Sequence, residues 1–304
     1  MPITLGGHLF SFPACTVEEA ANICRALGLE TLDLGNGRDL DPVVVARNPE
    51  SEAERIRAIA ERTGIRFHDA FPQATDKHIT NTPDVEEYVH QREVYAGWLR
   101  FARLAGLDGI SLSPGTYWPG LSAREAFNRG RDQLRSLAEV AVREGIRLRI
   151  EPHLDSVTWT PELALEMVRE VPGLSLTIDH SHFIVHGIPY EEIARMHPYG
   201  THWHARQAAL SRLQTSTAEG DIDFQRVVAD LTRDGYDGVI AIEYVYTPWL
   251  DLTHQDVLRE TVTLRDELHG YLGTPNATSK GPAAKSLSSS ERLGRGLDQA
   301  APSK

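Results

Sequence analysis

Residues Leu174–Phe183 read LSLTIDHSHF. The apolar run is that of a buried strand, and a strand that deep ordinarily ends in a Gly, Asn or Pro turn. This one ends in Asp179, with His180, Ser181 and His182 behind it. A carboxylate closing an apolar strand is costly unless it is paired or binds a cation. What it pairs with depends on the elements to either side.

Before it come IRLRIEPH and the amphipathic TPELALEMVREVPG; after it come PYEEIARMH, then THWHARQA. The same alternation runs along most of the chain. ITLGGHLF precedes TVEEAANICRALG, whose apolar residues recur at helical spacing and whose Gly28 suits a C-cap. LETLDLG precedes SEAERIRAIAERTG; IRFHDAF precedes a long helix within 84–106; DGISLSP precedes SAREAFNRGRDQLRSLAEVAVREG. THWHARQA leads to DFQRVVADLTRDG, and GVIAIEYVY to THQDVLRETVTLRDELHGYL. Strands that alternate with helices imply parallel pairing through helical crossovers. Eight such units fit a closed α/β barrel, the (β/α)₈ TIM barrel, better than an open doubly wound sheet. The first strand-to-helix turn, GGHLFSFPA, also lacks the G-x-G-x-x-G turn of a dinucleotide fold.

The barrel is expected over residues 1–272. From Tyr271 to Lys304, 18 of 34 residues are Gly, Ala, Ser or Pro, so 273–304 reads as a disordered tail. The net charge of −12 argues against a nucleic-acid or anionic-membrane surface. No apolar run reaches the length of a membrane span, and the N-terminus has no basic, apolar leader. Cys15 and Cys24 lack metal-type spacing and read as reduced thiols. A soluble, cytoplasmic protein is expected.

Active sites of such barrels lie at the C-terminal ends of the strands. There the sequence places Glu151 after strand five, Asp179 and His182 after strand six, His202 and His204 on one side of strand seven, and Glu243 after strand eight. Seven of the thirteen histidines fall between His153 and His204. Three carboxylates at one mouth repel each other unless a divalent cation sits among them. Three carboxylates and one imidazole suit Mn²⁺ or Mg²⁺, with Co²⁺ or Zn²⁺ also possible. The bland alternative is that each caps a helix or pairs with an arginine, but independent caps need not choose the same rim.

The ordered motifs IEPH, IDHSHF…HGIPYEEI, HWHARQ and AIEY resemble the sugar phosphate isomerase/epimerase family, the xylose-isomerase-like barrels. The resemblance covers about residues 1–272. It implies Glu151, Asp179, His204 and Glu243 as ligands of one divalent metal, Mn²⁺ first. It implies His182 as a substrate contact, and Glu151 and Glu243 as an acid/base pair moving a proton beside the carbonyl of a ketose or oxo-sugar. It also implies a homo-oligomer. Strand seven departs from the family's His-x-Lys-Asp: here it reads His204-Ala205-Arg206-Gln207. Arg206 is a candidate for binding a sugar hydroxyl or carboxylate, or a partner in a rim salt bridge. SRLQ and EYVYTPW are similar to the subgroup that holds the catalytic subunits of C-glycoside deglycosidases. That likeness implies a lyase acting on a 3-oxo-glycoside, with a small second subunit.

His153, two residues after Glu151, is a candidate base or a loop histidine. His68 is expected to end strand three and face the mouth, and His8 to be a buried, hydrogen-bonded histidine. Tyr117 and Trp118 are candidate sugar-stacking residues in a βα loop. Three other readings are weaker. An apurinic-site endonuclease shares the barrel but needs more histidines, and SLSPG and EGDIDF supply none. A non-catalytic barrel would tolerate the loss of a glutamate, and none is missing. A retaining glycosidase needs two carboxylates but not this imidazole set.

Overall fold

The computed structural model describes residues 3–73 and 80–273. Met1–Gly273 form one compact unit; the tail expected beyond it, from Thr274, lies outside the described residues. The strands are β1 (Thr4–His8), β2 (Thr31–Gly35), β3 (Arg66–Phe71), β4 (Gly109–Leu112), β5 (Arg147–Ile150), β6 (Leu174–Asp179), β7 (Gly200–Ala205) and β8 (Val239–Ile242). The helices are α1 (Val17–Ala26), α2 (Pro42–Arg47), α3 (Pro49–Thr63), α4 (Val85–Ala105), α5 (Ala123–Glu144), α6 (Pro161–Glu170), α7 (Ser181–Ile184), α8 (Tyr190–Ala194), α9 (Phe224–Arg233) and α10 (Val257–Gly273). The strands pair in parallel in the order β3-β2-β1-β8-β7-β6-β5-β4. At the remaining seam, Asp108 N–H donates to His68 O at 2.8 Å, which brings β4 beside β3 and nearly closes the ring. The expected (β/α)₈ TIM barrel is therefore the observed fold.

The helix starts follow local chemistry. Thr16 with Glu19 and Ser122 with Glu125 form capping boxes that satisfy the first N–H groups of α1 and α5. Asp41, Asp84, Thr160 and Asp223 cap α2, α4, α6 and α9 with one side-chain oxygen each. Gly145 stops α5 in the left-handed conformation, φ 68°. The main core packs the helices' apolar faces against the outside of the strands, with Leu32, Leu34, Ile110, Leu148, Ile150, Leu176 and Ile178 fully buried.

The barrel interior differs from the usual branched aliphatic filling. Arg149 on β5 lies 2.9 Å from Asp69 on β3 and also pairs with Asp108, while its Nε donates to Thr201 Oγ1 at 2.8 Å. Ser111 on β4 bonds both Asp69 and Thr177 on β6. Arg149 with Asp69, Arg149 with Thr201 and Ser111 with Thr177 each join strands that are not neighbours, so these contacts cross the interior. Arg149 is fully buried, and a buried charge is tolerated only when paired and hydrogen-bonded as here. Gly109 makes room for it: a Cβ there would stand 1.9 Å from Arg149 Nη1 and 2.7 Å from Arg147 O.

Strand three corrects one expectation. Pairing of β2 with β3 continues through Leu34↔Ala70 to Gly35↔Phe71, because a register shift between Leu32 and Leu34 takes up a residue. The strand thus ends in Phe71, and His68 lies mid-strand, level with the start of β4.

Gly109→Ala should lower stability by roughly 1–3 kcal/mol through overpacking against Arg149. Arg149→Met should cost about 3–5 kcal/mol, because it strands Asp69 as an unpaired buried charge. Urea unfolding followed by circular dichroism measures both.

Candidate active site

Glu151 follows β5, fixed by its N–H to Leu112 O at 3.0 Å, and Glu243 follows β8, fixed by its N–H to Ala205 O at 3.0 Å. Both carboxylates reach one nitrogen. His204 Nδ1 lies 2.7 Å from Glu151 Oε1 and 3.3 Å from Glu243 Oε2. Burial opposes a charged imidazole at His204, but the two glutamates more than offset it and hold its pKa well above the ordinary value. Burial likewise opposes charge on Glu151, yet His204 and His153 hold its carboxyl well below the usual range. Glu243 is lowered for a similar reason, against burial and mainly by His204 and His8.

Glu151 Oε2 faces the other way and lies 2.6 Å from His153 Nε2. His153 stacks between Phe71 (5.7 Å, 10°) and His182 (4.5 Å, 27°). The residue that truly ends β3 thus becomes part of the wall. Burial works against a charged His153, but Glu151 raises its pKa. Its side chain is 26% exposed, so it links Glu151 to solvent.

Asp179 ends β6 as expected. Its Oδ1 accepts Ser181 N–H at 2.8 Å, while Oδ2 stands 3.0 Å from Arg206 Nη2 and 3.8 Å from His182 Nε2. Oδ2 is buried without a well-directed hydrogen bond. Burial raises the Asp179 carboxyl even with Arg206 beside it, because Glu151 and Glu243 add repulsion. Arg206 is itself buried, donates from Nε to Ser181 Oγ at 3.0 Å, and lies 3.0 Å from His182 Nε2. His182 Nδ1 accepts Leu154 N–H at 3.2 Å, and burial together with His153 and Arg206 keeps its pKa well below 6.5.

The remaining candidates make contacts of their own. His68 bonds Arg66 at 2.8 Å and packs against His202 at 5.4 Å, below the rim. Tyr117 is 42% exposed. Trp118 Nε1 donates to Asn81 Oδ1 at 2.9 Å, and Asn81 also holds both polar backbone atoms of Thr116. Both aromatics therefore belong to a loop built around Asn81. Gln207 is spent on Ile222, accepting its N–H at 3.1 Å and donating to its C=O at 2.8 Å.

Two residues at the site went unassigned in the sequence. His8, read as a buried histidine, does accept Phe10 N–H at 3.1 Å, but it also stands 3.6 Å from Glu243 Oε1. Asp33 on β2 lies 2.7 Å from His202 Nε2 and 4.0 Å from His204 Nε2. Its sequence signal is a lone carboxylate between Leu32 and Leu34 within the apolar strand of LETLDLG.

Glu151, His204 and Glu243 offer ligand atoms that all lie within 4.8 Å of one another; so do Asp33, His202 and His204, and Glu151, His153 and His182. The first trio has two hard oxygen donors and one imidazole; Asp179, whose Oδ2 is ion-paired with Arg206 but lacks a well-directed hydrogen bond, adds its charge to the same buried anionic group without joining any of these trios. That set fits a divalent cation.

The family model for the xylose isomerase-like TIM barrel matches residues 12–265. The chain belongs to this family. Three solved barrels resemble it in fold. The E. coli 3-keto-D-glucoside 4-epimerase has a TM-score of 0.70, is 16% identical, and the match covers 88% of this chain and 99% of that one. D-psicose 3-epimerase from Clostridium cellulolyticum H10 has a TM-score of 0.72 at 15% identity, over 89% and 99%. The IolI protein with a bound zinc atom has a TM-score of 0.70 at 15% identity, over 90% and 100%. A curated relative, the uncharacterized protein MJ1311 of Methanocaldococcus jannaschii, is 31% identical over 128 residues, 39% of this chain and 44% of that protein. The chain thus spans less than half the length of that relative.

His180, beside Asp179, gives the site a measurable acid sensitivity. It is buried with its Nε2 3.2 Å from His197 Nε2, and burial, with His197 adding to it, lowers its pKa from 6.5 to about 3. The folded state keeps it neutral while the unfolded chain takes up a proton below pH 6.5. Stability attributable to His180 therefore falls as pH drops from 6.5 towards 3, by up to about 1.4 kcal/mol per pH unit. Urea unfolding at stepped pH should show a shallower slope for His180→Gln than for the wild type over that window.

Proposed function

We propose that the protein is a divalent-metal-dependent sugar isomerase or epimerase that moves a proton beside the carbonyl of a ketose or oxo-sugar. The observation that carries this reading is the meeting of Glu151 and Glu243, two buried glutamates from separate strands, at one nitrogen of His204. Carboxylates held ionised in a buried site are bases set to take a carbon-bound proton. The fold relatives named as epimerases act on 3-keto-D-glucosides and on D-psicose, which supports a sugar substrate with a carbonyl.

A divalent ion, Mn²⁺ first, held by Glu151, Asp179, His204 and Glu243 would stabilise negative charge on the substrate's carbonyl and neighbouring hydroxyl oxygens. The chain's own residues divide the rest of the work. Glu243 is the freer base: His8 at 3.6 Å is the nearest partner recorded for its Oε1, whereas both oxygens of Glu151 are engaged. Glu243 takes the C–H proton, and the C–H electron pair moves into the carbonyl to give an enediolate. Glu151, relayed to solvent by His153, returns a proton. Delivery to the opposite face of the same carbon gives epimerisation; delivery to the former carbonyl carbon, with the neighbouring hydroxyl proton passing to the former carbonyl oxygen, gives isomerisation. His182 and Arg206 hold sugar oxygens, and Phe71 and His153 form an aromatic wall for the ring's apolar face.

Strand seven supports elimination from a 3-oxo-glycoside as the second reading. Arg206, in the place where the family carries lysine, sits against Asp179 and His182, which changes the charge presented to the substrate.

Incubation of the Mn²⁺-loaded protein in D₂O with free ketoses and 3-oxo-glycosides, followed by NMR, tests both. Deuterium beside the carbonyl of a rearranged sugar is the expected result. Release of an aglycone would establish the lyase instead. Glu243→Gln should slow exchange by about 10²–10⁴-fold at saturating Mn²⁺. Absence of exchange on every compound by metal-loaded protein would count against the proton-transfer reading.

A further inference from the structure

His204 has two ring nitrogens with different tasks. Nδ1 faces Glu151 and Glu243, and Nε2 faces Asp33 Oδ2 at 4.0 Å. A neutral imidazole carries one hydrogen. When Nδ1 turns its lone pair to a cation, that hydrogen sits on Nε2, inside a barrel where His204 and Asp33 are 2% and 1% exposed. A buried N–H needs an acceptor. Among the described residues, Asp33 is the carboxylate paired with that nitrogen, while Glu151 and Glu243 pair with Nδ1.

Asp33 is built for this. Its Oδ1 accepts Asp69 N–H at 3.1 Å, and Oδ2 takes His202 Nε2 at 2.7 Å, which anchors the carboxylate from two further strands. His202 Nδ1 is buried without a partner, so the His202 hydrogen belongs on Nε2, facing Asp33. The His202 and His204 rings meet edge to face at 5.2 Å and 89°. Both Nε2 atoms thus approach one carboxylate oxygen, that of His202 at hydrogen-bond length and that of His204 at 4.0 Å, roughly 1 Å beyond it. Cation binding would have to draw the His204 ring about that far towards Asp33.

We propose that Asp33 is a positioning residue: it accepts the Nε2 hydrogen of His204, fixes that ring's tautomer, and so makes Nδ1 the nitrogen that holds the cation. This rests on the metal-dependent reading above. It also assigns the trio Asp33, His202 and His204 a supporting role rather than that of a second ion site. Asp33 and His202 already satisfy each other, and all three side chains are shut off from solvent.

The test is titration of the full-length protein with Mn²⁺ by calorimetry, for the wild type and Asp33→Asn, with circular dichroism to verify folding. One equivalent is expected in each, with the dissociation constant raised about 10–100-fold in the variant. Equal affinities would overturn the role of Asp33 and leave the metal reading standing, whereas a wild type that binds no cation would sink both. Loss of a second equivalent in the variant would make Asp33 a ligand and overturn the proposal. Histidine-¹⁵N NMR of the Zn²⁺-loaded protein supplies a readout that a purely structural role would not move. The wild type should show His204 metallated at Nδ1 with a downfield Nε2–H proton, which moves upfield in Asp33→Asn. If Asp33→Asn does not fold, the wild-type spectrum decides alone, and metallation at Nε2 would overturn the proposal.

Discussion

The structure at the mouth of this barrel depends on one constraint: buried carboxylates from three strands must be neutralised where water cannot reach them. His204 does so for two of them, with Nδ1 between Glu151 and Glu243. Arg206 does so for the third, beside Asp179. Each neutralising group has its own anchor. Asp33 stands behind His204, and Ser181 and His182 hold Arg206. The cost of burying these charges is large enough that the surrounding elements are arranged around their partners.

The same constraint extends down the barrel. Arg149 with Asp69 and Asp108, Ser111 with Thr177, and Asp33 with His202 fill an interior that aliphatic side chains usually fill. A polar interior is tolerable only when its groups are paired, and Arg149 with Asp69, Ser111 with Thr177 and Asp33 with His202 each join strands that are not neighbours. Gly109 shows how tightly this is drawn, since the guanidinium of Arg149 occupies the space of its missing side chain. The site therefore rests on a rigid, hydrogen-bonded floor, which suits a reaction that needs carboxylates held at fixed positions.

Fold and rim were largely legible in the sequence because both are periodic. Alternating strand and helix patterns fixed the barrel, and the ends of strands five to eight supplied Glu151, Asp179, His204 and Glu243. What escaped was set by contact rather than pattern. His68 looked like a strand end, but a register shift opposite Leu32 and Leu34 carried the strand on to Phe71. For Tyr117 and Trp118 the pattern gave a loop position, and only the contacts showed that Asn81 organises that loop. Asp33, a carboxylate in the middle of an apolar strand, went unassigned because its partner His202 lies 169 residues away.

The sequence by itself determined the eight-unit barrel, the acidic rim and which residue types stand there, because helix and strand periods dictate which positions share a face. Only the tertiary structure decided how those groups divide their partners. It assigned Glu151 one oxygen to His204 and the other to His153, tied Arg206 to Asp179, and set Asp33 behind His204. The physical reason is that a charge's neighbours across a closed barrel depend on strand register and side-chain reach, which no local period in the sequence encodes.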